Sequence, residues 1–218
     1  NGFQNAYQYT GPYPVTFGPV MVYLWAILGA IDPRFATAID ASDLGLRMLM
    51  RVPPTIADFG LAALIAYALW DRPRWAIAGA AATLLILPTW YVSAWWGQYE
   101  SIYVLFGVVA FVLAARGHSL WAAAALAVAL MTKPQAVPLA VPFAAWFLAR
   151  EGWRGTVKAA AVGAAVIVLL WLPFIPAGGV QSYLHNLAAY QADVYSILSL
   201  RAWNLWWIVQ EVLAGGSL

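Results

Sequence analysis

The chain has 218 residues, of which 64% are hydrophobic and 9% charged, with a formal net charge of +2 and a mean hydropathy of +0.75. Soluble domains carry about 45–50% apolar and about 25% charged residues, so this composition excludes an ordinary soluble domain and points to a polytopic membrane protein. The small charge and the lack of a Lys/Arg block give no ground for a nucleic-acid partner, and the absence of cysteine excludes disulfides, Cys-ligated zinc and thiol chemistry.

The chain opens at Asn1 without an initiator Met or signal peptide and closes at Leu218 soon after an apolar run begins, so it reads as truncated at both ends. Polar and aromatic residues 1–14 lead into an apolar run, 15–31. As a span, that run would put Asp32 and Arg34 on the external face. Residues 32–51 carry Asp32, Arg34, Asp40, Asp43, Arg47 and Arg51 in a pattern that suits an amphipathic surface helix with solvated carboxylates. Further apolar runs follow at 53–70, 75–90, 102–115, 120–131, 136–149 and 157–175, with a last one starting near Leu205, parted by Pro, Gly and charge. Several fall short of the roughly 20 residues of a straight span, so their ends must recruit flanking aromatics or meet a thinned zone. Asp58, four residues after Pro54, falls near the first turn of its helix. A structural bond to backbone or a neighbouring helix suits it at least as well as catalysis.

Between 75–90 and 102–115 stands Trp95-Trp96-Gly97-Gln98-Tyr99-Glu100-Ser101. An interfacial aromatic belt accounts for the Trp and Tyr, but it requires neither Gly97, Gln98 nor Glu100, and ionisable groups at the mouth of spans default to a functional reading. The structural alternative for Glu100 is a carboxylate complementing the dipole of the next helix.

Charge sets the topology. Arg72 and Arg74, Arg116, and then Arg150, Arg154 and Lys158 fall on one face if each run crosses once, and the positive-inside rule makes that face cytoplasmic. The same alternation resolves 120–149 into two short helices meeting at Thr132-Lys133-Pro134-Gln135, where Pro134, Pro138 and Pro142 interrupt helical bonding. The other face collects the 95–101 hinge, the Lys133 hairpin and the long segment 176–204. A site lined there by carboxylates, amides, a Lys and an Arg suits a phosphorylated, hydroxyl-rich substrate arriving in the membrane, the description of a lipid-phosphate sugar.

Lys133 and Arg201 are the external cations best placed to stabilise a phosphate leaving group. Their bland alternatives are a snorkelling Lys and a solvated loop charge, although Trp203, Asn204, Trp206 and Trp207 around Arg201 argue for a partly buried setting. Gln98 and Glu100 can hold sugar or acceptor hydroxyls. His118 and His185 fall on opposite faces and cannot build a His-based metal site. No cofactor is read. A carboxylate-bound divalent cation finds no recognisable cluster.

Trp96-Gly97-Gln98-Tyr99-Glu100-Ser101, followed about one helical hairpin later by Thr132-Lys133-Pro134-Gln135, resembles the integral-membrane glycosyltransferases of the GT-C superfamily, which use polyprenyl- or dolichyl-phosphate sugars. Tyr13-Pro14 resembles the YPP-containing segment of their first external loop. Arg51-Val52-Pro53-Pro54-Thr55-Ile56-Ala57-Asp58 resembles the entry to the next span, and Ala202-Trp203-Asn204-Leu205-Trp206 an element of a later external loop. The order and spacing run along nearly the whole chain. Two positions depart from the family pattern, which carries Asp where this chain has Glu100 and a second Pro where it has Val15.

The resemblance implies an all-α, polytopic transmembrane bundle of about seven spans, with 15–31 an interfacial helix in the first external loop. On that reading 1–218 is a single transmembrane module: 1–52 an external loop, 53–175 transmembrane helices, 176–204 an external loop, and 205–218 the start of a further span. It implies inverting transfer of a hexose, mannose or glucose, from a polyprenyl- or dolichyl-phosphate donor to a glycan, lipid or protein acceptor. The site would face outward from a prokaryotic plasma membrane. Trp96, Gln98, Tyr99, Glu100, Lys133, Gln135, Arg201 and Asn204 are its expected substrate-binding residues, with Tyr13 and Asp58 as further site or structural positions. The family's catalytic base lies upstream of the YPP element. Residues 1–12 hold no Asp or Glu, so the base is expected before Asn1. A secondary transporter or lipid flippase is the alternative, but it would place ionisable groups near the midplane and break paired helices in two halves.

Overall fold

The computed structural model describes residues 2–9, 14–36, 43–194 and 212; among them are helices and no strand. The chain forms two compact units, residues 17–172 and residues 1–16 with 173–218.

In the larger unit, α1 (Pro19–Ile31) starts on a proline, whose missing N–H is not needed in a first turn. α2 (Leu44–Ala68) is capped by Asp43, whose carboxylate accepts the Leu46 N–H at 3.1 Å and satisfies one of the donors every helix start leaves open. Asp43 is thus more than the solvated charge its sequence setting suggests, and it also takes part in an ion pair with Arg34, as does Asp32. Pro53 and Pro54 lie inside α2, so the helix begins ahead of the apolar run expected to open it. α3 (Pro73–Leu85) is followed by α4 (Leu87–Trp90) and a π-helical turn, Tyr91–Trp96, with a bend of 47° between the two legs. α5 (Glu100–Ala115), α6 (Ser119–Leu130), a 3-10 helix (Pro134–Leu139) and α7 (Ala140–Trp171) complete the unit.

Inside α7, Gly152 adopts φ 64° and ψ −177°, a conformation open essentially to glycine alone. The chain reverses there. Ser119, at the start of α6, bonds Glu151 at 2.6 Å, while the Trp171 indole N–H approaches the Met131 sulfur at 3.2 Å just past the end of α6. The two halves of α7 therefore run away from the Met131–Lys133 turn and back to it. The sequence separates apolar runs 136–149 and 157–175 at the same place. A core of Ala110, Ala114, Ala122, Ala123, Leu126, Phe143, Phe147 and Ala159 joins α5, α6 and both halves, and its many alanines let the backbones approach closely.

Contacts also order the ends of this bundle. At one, the Arg116 guanidinium stacks over the Tyr67 ring at 4.2 Å and Ser119 meets Glu151; Arg72 stands at the N-terminal boundary of α3 nearby in sequence, and Arg150 and Arg154 flank Gly152. At the other lie Gly97 against Arg51, Glu100 against Lys133, and Gly18 against Met131.

Leu44–Ala68 and Pro134–Trp171 are long and apolar enough to cross a membrane, and the bent pair Pro73–Leu85 with Leu87–Trp96 makes a third if it is one span. Pro19–Ile31, Glu100–Ala115 and Ser119–Leu130 are apolar but shorter.

In the smaller unit, a 3-10 helix (Phe3–Gln8) packs with α8 (Gly179–Val194). Tyr7, 1% exposed, meets the rings of Phe174 and Tyr183 edge-on at 5.3 and 5.7 Å. Asn186 ties α8 down by donating to the carbonyls of Tyr7 (3.0 Å) and Val15 (3.3 Å).

Candidate functional site

The hinge begins where the π-helical turn stops. Gly97, at φ 79°, takes the left-handed conformation that ends a helix without a Cβ penalty, and the Gln98 N–H closes on Val92 O at 2.9 Å. This turn delivers Tyr99 to the cap position of α5 and Glu100 to its first residue. The opposing segment is fixed just as locally. Thr132 bonds back to Val128 O at 2.8 Å, and the start of α1 is laced to it by Gly18 N to Thr132 O and Val20 N to Met131 O, both 3.1 Å. A Cβ on Gly18 would lie 2.0 Å from Met131 O, so only glycine permits this approach.

The two segments meet in an ion pair, with Lys133 Nζ 2.5 Å from Glu100 Oε1. The Lys133 side chain is 10% exposed and that of Glu100 36%. The ammonium also sits 5.5 Å from the centre of the Phe17 ring, an arrangement that stabilises a cation through the ring quadrupole. Glu100 Oε2 is buried with no hydrogen-bond partner among the described residues. An acceptor in that state asks for a donor.

Behind Glu100, Ser101 donates to Asp58 Oδ1 and lies 2.6 Å from Ser93 Oγ. Asp58, Ser93 and Ser101 are all buried, so this network pins α2, the π-helical turn and α5 together at the hinge. Tyr99 packs edge-on against Phe17 and Trp25 with Met21 and Ile102 close by; burial holds its hydroxyl above the ordinary tyrosine value, protonated and able to donate.

Of the expected site residues, Glu100 and Lys133 are brought into contact, and Tyr99 and Gln98 form the turn that presents Glu100. Asp58 takes the bond to a neighbouring helix that is one of its two readings. Trp96, 64% exposed, and Gln135, also exposed, stand at the same end without joining the pair. Tyr13, Arg201 and Asn204 lie outside the described residues. Sequence reasoning missed Phe17, Gly18 and Ser93 as parts of the site, and it held Ser101 and Arg51 within motifs without giving either a role; the Arg51 side chain lies against Gly97. For the three missed residues the one local signal is a glycine before a helix-starting proline, and it does not reveal the contact with Met131. Among the described residues no three His, Asp or Glu side chains gather as metal ligands would.

No curated protein and no solved structure matches the chain. The model of glycosyltransferase family 87 matches residues 15–214, a stretch that contains the whole hinge, hairpin and ion pair, and the chain belongs to that family of glycosyl-transferring enzymes.

Proposed function

We propose that the chain transfers a hexose, mannose or glucose, from a polyprenyl-phosphate donor to an acceptor at the extracytoplasmic face of a prokaryotic plasma membrane, with inversion. The carrying observation is the Glu100–Lys133 pair, a buried ammonium held by Glu100 Oε1 while Oε2 of the same carboxylate has no hydrogen-bond partner among the described residues. A phosphate leaving group gathers charge as the glycosidic bond breaks, and a preplaced ammonium stabilises it without reorganisation. Glu100 Oε2 accepts a sugar or acceptor hydroxyl, with Gln98 beside it. Arg201 and Asn204, outside the described residues, are proposed from the sequence alone as further substrate-binding residues.

An apolar groove of about 370 Å³ between α5 and the first half of α7 supports a lipid donor. It starts at Tyr103, one turn from Glu100, and continues along Gly107, Phe111, Leu139, Pro142 and Phe143. An isoprenoid chain lying there would bring its phosphate to Lys133. The same reading counts the bent pair, α2, α5, α6, each half of α7 and a last helix beyond residue 204 as about seven spans.

Donor choice tests the reading. The full-length protein in lipid nanodiscs, given radiolabelled polyprenyl-phosphate mannose, polyprenyl-phosphate glucose or a nucleotide sugar, should use a lipid phosphate only. Lys133→Ala should lower kcat/KM by roughly ten- to a hundredfold, the loss of one charge-assisted bond at about 1.5–3 kcal/mol. Glu100→Gln should leave measurable turnover, because Glu100 is assigned to binding and not to proton removal. Transfer from a nucleotide sugar alone, or wild-type kinetics in Lys133→Ala, would overturn it.

A further inference from the structure

The smaller unit holds a second cleft whose chemistry differs from that of the ion-paired site. It has a volume of about 400 Å³ and is edged by Gln8, Tyr9, Gln181, Ser182, His185 and Asn186 over the buried Tyr7 ring. Gln181, Ser182 and His185 fall within about one turn of α8 and so share a face. Two amides there have spent donors on backbone carbonyls: Asn186 gives both amide hydrogens to Tyr7 O and Val15 O, and Gln8 gives one to Ala177 O. What Asn186 retains is an acceptor oxygen, and Gln8 retains one oxygen and one N–H. Among the described residues no Lys, Arg, Asp or Glu lines the cleft.

This combination selects its ligand. A phosphate or carboxylate offers only acceptors and would meet amide oxygens with no Lys or Arg beside them among the described residues. A neutral sugar offers O–H groups that donate to those oxygens and accept from Gln8, Gln181, Ser182, Tyr9 and His185, and its apolar faces suit an exposed tyrosine ring. Size agrees, since small-ligand sites are typically about 300–1,000 Å³. The walls are held in advance by Asn186, by the Phe3–Phe174 and Tyr7–Phe174 ring contacts, and by Gly178 at φ 70° turning the chain into α8.

We infer that this cleft binds the neutral pyranose unit of a glycan, and that it serves the acceptor. The acceptor role rests on the lipid-phosphate reading above; the sugar binding does not. Saturation-transfer NMR on the full chain in nanodiscs, with methyl α-mannoside, methyl α-glucoside and N-acetylglucosamine as probes, separates the two. Gln181 and His185 are exposed, so Gln181→Ala and His185→Ala leave the fold intact, and each should weaken probe binding roughly two- to tenfold, one neutral hydrogen bond apiece. Neither variant should change binding of polyprenyl phosphate, whereas Lys133→Ala should lose the lipid phosphate and keep the saccharide. Failure of all three saccharides to bind, equal binding in both cleft variants, or competition by inorganic phosphate would overturn the sugar cleft and leave the donor reading standing. Loss of lipid-phosphate binding in wild type with saccharide binding retained would remove only the acceptor assignment.

Discussion

Lys133 and Glu100 are 33 positions apart in the chain, and each has a reading of its own in the sequence: phosphate binding for one, hydroxyl binding or a helix dipole for the other. Their pairing follows from the hairpin turning Lys133 back against the start of α5, a long-range event that neither motif encodes by itself. A pair of this kind resists the loss of one member more than the loss of both. Removing one partner of a fully buried pair costs roughly 3–5 kcal/mol. Glu100 is 36% exposed, so solvent screening reduces that penalty, and Lys133→Met alone should destabilise by about 1–3 kcal/mol. Glu100→Gln combined with Lys133→Met should restore the unfolding midpoint while transfer from the lipid donor stays at least about tenfold down. Thermal unfolding in detergent, paired with a donor assay, checks both. A double variant as active as wild type would make the pair architectural.

The helices depend on backbone features whose legibility varies. The break between the halves of α7 is readable because Arg150, Arg154 and Lys158 interrupt two apolar runs, and Gly152 is the residue that permits it. Gly152→Ala should therefore cost about 1–3 kcal/mol, the strain of forcing a side chain into that region. Gly18 carries no comparable signal, since the carbonyl it touches belongs to Met131. Gly18→Ala should be the more damaging to the site, because backbone rather than a flexible side chain stands in the way: α1 must move off the Lys133 turn, with overpacking of about 1–3 kcal/mol and a fall in donor use. Tryptophan fluorescence of Trp25 together with turnover would report the displacement. Unchanged turnover in Gly18→Ala would show that α1 plays no part in holding Lys133. The start of α2 departs from expectation for a different reason: Pro53 and Pro54 are strong stop signals, yet a helix already capped at Asp43 carries through them, and the carbonyls of Leu49 and Met50 lose their helical donors instead.

Across the whole chain, membrane character and helical class are legible because composition alone sets them. The grouping of Arg116, Arg150 and Arg154 at one end of the larger unit and of the ion pair at the other agrees with the alternation of apolar runs. That polarity predicts accessibility. The chain has no cysteine, so single cysteines at 98 and 133 should react with an impermeant maleimide on intact cells, and cysteines at 72, 116 and 154 only after permeabilisation. Labelling of 133 on the same side as 116 would contradict the hairpin. The number of crossings is harder to read, because α5 and α6 at 16 and 12 residues are short of a straight span and hydropathy gives no depth in the bilayer.

The π-helical turn Tyr91–Trp96 adds a last consequence. A π turn takes up a residue that α geometry would not need over the same rise. The leg leading to the hinge thus contains a built-in spacer. Deleting one residue from 91–96 would let the turn relax to α geometry with the flanking helices kept in phase, whereas deleting one residue from the α-helical leg Pro73–Leu85, which holds no such slack, would rotate the hinge and the start of α5 by about 100° around the axis. Glu100 would then face away from Lys133 although every side chain at the hinge had been kept. The closing of the ion pair is set by chain phase as much as by chemistry.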